Sequence, residues 1–76
     1  MNVSNEELLE DIANTEKELS AYQMLANAHR ILADLPENIG ANQRMHNLHA
    51  DNYRNTEQRC AALLRELHQL KAERGL

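Results

Sequence analysis

A single break governs what this chain can fold into. No proline or glycine occurs from residue 1 to 35, and none from 41 to 74. Between these stretches stands LPENIG, residues 35–40, holding the only proline and one of the two glycines. Pro36 disfavours helical backbone at the residue before it, and Gly40 supplies the freedom a turn needs. The spacing predicts a helix over about 5–34, a turn over about 35–40 and a second helix over about 41–73. Each helix is long enough to run ~45 Å at 1.5 Å per residue. A short connection makes them antiparallel neighbours. The expected fold is all-α, a single two-helix coiled-coil hairpin spanning residues 1–76.

The ends of the two stretches carry matching signals. Ser4 and Glu7 stand in capping-box spacing just ahead of Leu8 and Leu9. Glu6, Glu7, Glu10 and Asp11 follow where the positive end of a helix dipole favours acids. Arg65, Lys71 and Arg74 lie in the last turns of the second stretch, and Gly75 follows them.

Heptad spacing then sets the register. One seam reads Leu8, Ile12, Thr15, Leu19, Tyr22, Ala26, His29, alternating four and three. The other reads His46, His49, Tyr53, Thr56, Cys60, Leu63, Leu67, Leu70. Folding at residues 37–38 brings residues whose numbers sum to 75 opposite each other. Leu8 then faces Leu67, Tyr22 faces Tyr53 and His29 faces His46. Glu10 falls level with Arg65, and Glu16 with Arg59, so two ion pairs are expected to reinforce the register.

Toward the turn this seam becomes Ala and His, while a second apolar stripe appears: Leu25, Ala28, Leu32 and Leu35, with Met45 and Leu48 on the other helix. Leu burial outweighs imidazole burial, so the core is expected to swing onto that stripe near the turn. Leu9, Met24, Ile31 and Leu64 are left over. Each helix of a hairpin has one neighbour and cannot cover all of this. Dimerisation into a four-helix bundle, or docking on a larger partner, is the expected solution.

Composition narrows the function classes. The net charge is −4, and there is no Trp or Phe and only two Tyr. Phosphate binding and base stacking are both poorly supplied, so nucleic acid is a poor partner even for Arg44, Arg54 and Arg59. Residues 1–40 carry eight acids and two bases, and residues 41–76 four acids and six bases. Such opposed halves suit each other. Cys60 is the only cysteine, which excludes an internal disulfide and suits a reducing compartment. Neither a membrane span nor a signal-peptide pattern is evident, so a cytoplasmic location is expected.

Few residues carry chemistry. His29, His46 and His49 gather near the turn and form a weak candidate zinc set, with Asp34, Glu37 or water as a fourth ligand. HNLHA lacks the Glu and the spacing of a zinc-protease helix. Histidines at the wet edge of a bundle, or at a pH-sensitive interface, are the competing readings. The two tyrosines suit ring packing, and Cys60 suits a small buried apolar residue. The nine asparagines suit an ordinary polar surface. The acids of the first helix suit a solvated face paired with the basic half. No catalytic constellation is present, and no cofactor is called for.

In length and hairpin form the chain resembles the small helical hairpins that recur among bacterial secretion co-chaperones and phage accessory proteins. That likeness is one of type and carries no motif. It implies a non-enzymatic protein-binding module, an adaptor, inhibitor or assembly factor that docks by a helix face. Leu25, Leu32, Leu35, Met45 and Leu48 are the expected anchors, seated in a protein partner or in a second copy as a homodimer. The alternatives are a metal- or pH-responsive protein using the three histidines, and an acidic inhibitor that mimics nucleic acid.

Overall fold

A computed structural model of the protein describes residues 3–76. Helix α1 spans Asn5–Ala33 and helix α2 spans Ala41–Glu73, packed side by side as a hairpin. The molecule is a rod of 52 × 15 × 14 Å. Among the described residues there is no strand, and no helix is long and apolar enough to cross a membrane.

The ends form as their residues dictate. Ser4 has extended backbone, and its hydroxyl accepts from the Glu7 N–H at 3.1 Å. The reciprocal bond from Ser4 N–H to the Glu7 carboxylate is not made, so half of the capping box is used. At the far end Gly75 takes φ +72°. Its N–H donates to the Ala72 carbonyl at 3.0 Å, and the Leu76 N–H donates to the Lys71 carbonyl at 3.1 Å. That pair of bonds is a Schellman stop, which needs glycine in the left-handed region.

The turn is tied down by Asn38. Its side chain donates to the Leu32 carbonyl at 2.8 Å, and its backbone N–H donates to the Leu35 carbonyl at 3.0 Å. Two carbonyls at the end of α1 thereby gain partners. Gly40 adopts φ +64° and leads straight into α2. α1 ends one residue earlier than its spacing predicts, with Asp34 as its C-cap.

Along α1 the expected seam is the observed one. Leu8, Ile12, Thr15, Leu19, Tyr22, Ala26, His29 and Ala33 are its buried or half-buried positions from Asn5 onward. α2 keeps six of its eight expected seam positions, His46, Tyr53, Thr56, Cys60, Leu67 and Leu70, at least half-buried, while His49 and Leu63 are exposed. Ala50, Glu57, Leu64 and Lys71 join them, so the inward face is broader than expected and leans toward those residues. That lean buries Ala50 in place of an imidazole, which removes a desolvation cost. It also brings the Glu57 side chain inward, leaving Glu57 Oε1 buried without a hydrogen bond and 3.5 Å from Arg54.

The axial register holds. Tyr22 stacks on Tyr53 with ring centroids 6.2 Å apart, and His29 meets His46 with centroids 5.2 Å apart. The expected ion pairs do not form. Glu10 sits on the outer side of α1, and Glu16 and Arg59 lie on opposite flanks of the hairpin. Glu16 instead lies 3.5 Å from His68, on a polar flank where Arg30 binds Asp51 at 2.9 Å and Asn47 at 2.8 Å. Agreement along the axis is not agreement around it.

The core does not swing onto the second stripe near the turn. Ala26, Ala33 and Ala50 are buried there, while Leu25, Leu32, Met45 and Leu48 stay on the surface. α1 keeps one uninterrupted four-three seam from Leu8 to Ala33. Two helices that coil slightly about each other keep such a seam facing the neighbour at both ends, offsetting the drift of about 20° per heptad that a straight helix would show.

Candidate functional site

Beyond its seam, the second half of α1 divides cleanly around its circumference. Gln23, Asn27, Arg30 and Asp34 lie on the polar flank. Ala21, Met24, Leu25, Ala28, Ile31, Leu32 and Leu35 lie on the side turned away from α2. Their spacing of three, one, three, three, one and three is itself helical. Met24 is 69% exposed, Ile31 64%, Leu25 39% and Leu32 36%. Met24 and Ile31 stand open, while the hairpin itself already covers more than half of Leu25 and Leu32.

Of the anchors expected from sequence, Leu25, Leu32 and the half-buried Leu35 belong to that face. Met45, on α2, is 50% exposed and lies on the same flank as Leu25 and Leu32. Leu48, 59% exposed, projects from the outer side of α2 and does not join them. Met24, Ile31 and Ala21 join the face although sequence reasoning did not assign them to it. The signal was present in Met24, Ala28, Ile31 and Leu35, a second four-three series on one helix.

The histidines form the polar end of the interhelical seam. His29 Nδ1 lies 3.0 Å from His46 Nδ1. One ring must donate and the other accept. His49 packs its ring 5.1 Å from that of His29, and Tyr53 stacks on His29 at 5.6 Å. Packing against these rings strips water from His29. That loss of water first, and then the charges His49 and His46 would carry, hold its imidazole below the ordinary value of 6.5. The pair can hold one shared proton or one extra, but two N–H groups cannot point at each other across 3.0 Å.

Among the described residues no group of three or more His, Cys, Asp or Glu side chains is arranged to hold a metal ion. His29 and His46 turn Nδ1 toward each other, and the rings of His46 and His49 lie tilted against that of His29. Cys60 is a free, half-buried thiol within the seam. A shallow groove at the open end, about 380 Å³, is lined by Asp11, Asn14, Thr15, Glu18, Leu63 and Leu67. It marks the flank opposite the Arg30–Asp51 pair. No family model, curated protein or solved structure matches the chain.

Proposed function

We propose that this protein is a small non-enzymatic docking module that works through the outer face of α1, as an adaptor, inhibitor or assembly factor. The observation that carries the reading is the exposed apolar face from Ala21 to Leu35. A helix buried on one side and apolar on the other suits a position between two neighbours. Association with another chain, up to a bundle of four helices when that chain is a second copy, supplies the missing neighbour. The acidic outer surface of the first half of α1 then stays open and favours encounters with basic surfaces.

A photo-crosslinking side chain at Leu32 tests this in cells. Capture of a protein from position 32, with none from the exposed polar position Gln58, is the expected result. Equal capture from both positions, or none from either, would refute docking by this face.

A second reading draws on the His29–His46 contact. Its 3.0 Å separation suits a hairpin whose turn end responds to pH. Hydrogen exchange of the α1 and α2 amides near the turn, compared at about pH 7.5 and about pH 5.5, tests it. Faster exchange there in acid, with the Leu8 end unchanged, is expected; a uniform change refutes a local device.

A further inference from the structure

We infer that the occupant of the α1 outer face is a second copy of this chain, packed antiparallel across a two-fold axis at Ala28. This inference rests on the docking reading and names its partner. The face is self-complementary about that residue. Pairing residues whose numbers sum to 56 sets Leu25 of one copy level with Ile31 of the other, and Met24 level with Leu32; around the helix, Leu25 then flanks the other copy's Leu32 and Met24 its Ile31. Ala28 meets Ala28, and Ala21 meets Leu35. Every pair is apolar, and the smallest side chain falls on the axis, where two helices come closest. An isologous interface requires this kind of reciprocal match. The polar residues Gln23, Asn27, Arg30 and Asp34 all fall outside it.

Area sets the strength. Met24 and Ile31 are 69% and 64% exposed, but Leu25 and Leu32 only 39% and 36%, so the apolar patch is small and lies near the floor of about 1,000 Å² in all for a specific interface. The dimer is therefore reversible and sensitive to concentration. Its form also follows. The axis lies near the turn end of α1, so only about 20 residues, or ~30 Å, of each hairpin overlap the other. The two 52 Å rods then point in opposite directions. Their combined length is about 75 Å at 1.5 Å per overlapping residue.

Oxidative cross-linking in a Cys60→Ser background tests the axis. Ala28→Cys should give a disulfide-linked dimer, since the axis brings the two Cα atoms into bonding range. Gln58→Cys, on an outward polar position of α2, should not. Light scattering of the unlinked chain should show dimer mass that falls on dilution, and Leu25→Glu with Ile31→Glu should abolish it. A dimer that links through position 58 and not 28, or that survives the double substitution, overturns the inference. So does a chain that stays monomeric up to about 1 mM, the weak limit of measurable association. In that case capture of a different protein from position 32 leaves docking by this face intact, and capture of nothing removes both. Circular dichroism of each variant confirms that the hairpin is still formed.

Discussion

At the residue scale the hairpin leans on very few side chains. Leu8 is the one large side chain that is wholly buried, at 0% exposure. Ile12 and Thr15 follow it along the seam, and the rest of the buried set is alanine. Leu8→Ala should therefore cost about 2–5 kcal/mol, because both the transfer and the cavity terms apply. Urea denaturation should show most of the protein's stability lost, since a domain this small has little in reserve. His29 sets the pH response. Its imidazole titrates below 6.5 in the folded state, so the unfolded chain takes up the proton first as pH falls. Stability from this site is complete above about pH 6.5 and declines as pH drops through the depressed folded value. From α2, His46, His49 and Tyr53 face the ring. Arg30 and Asp51 nearby are committed to each other, and Asp34, Glu37 and Arg44 at the same end form no ion pair among the described residues. Thermal melts across this window should show a falling Tm, and His29→Gln should flatten the slope whatever it does to the Tm itself.

At the element scale α1 was legible almost to the residue and α2 was not. α1 has one apolar series that begins at Leu8 and a hydroxyl cap that fixes its start. α2 offers two nearly equal series, because Leu63 and Leu64 are adjacent, as are His49 and Ala50. Hydropathy cannot choose between Leu63 and Leu64, and an unbroken three-four alternation passes over Ala50 in favour of His49. The choice fell to packing, where Ala50 lies level with the small, buried Ala26. The exchange of His49 for Ala50 is testable by contrast. Ala50→Leu should destabilise by about 1–3 kcal/mol through overpacking. His49→Leu, at an exposed position whose ring packs 5.1 Å from that of His29, should cost less, about 1 kcal/mol or below. If the two effects were reversed, the inner face of α2 would be the one drawn from heptads alone. The cap gives a smaller effect: Ser4→Ala should cost ~1 kcal/mol in the same denaturation assay. Part of the candidate site was legible too. Leu25, Leu32 and Leu35 announced a second stripe, but its direction depended on where α2 lies, and so Met24 and Ile31 were missed and Leu48 was wrongly joined to it.

At the scale of the whole molecule the hairpin is far from compact. A compact chain of 76 residues has a radius of gyration near 11 Å, from the usual scaling with length. This one has 16.7 Å. Its accessible surface is 5534 Å². A compact protein of its mass exposes about 4,700 Å², so the excess is roughly 800 Å², the share one partner contributes to a standard interface. If the outer face of α1 takes a second copy as proposed, linkage makes stability depend on concentration, since association stabilises only the folded form. The melting temperature of the wild-type chain should rise across a hundredfold increase in concentration. Leu25→Glu with Ile31→Glu should remove that rise while lowering the melt of the dilute chain only modestly, because Ile31 is 64% exposed and Leu25, 39% exposed, flanks the seam without lying in it. If the dilute double variant melts far below the dilute wild type, these residues belong to the hairpin's own core and the outer face is not a free surface. If both chains show the same concentration dependence, association uses another surface, and the acidic half of α1 and the outer side of α2 become the places to look.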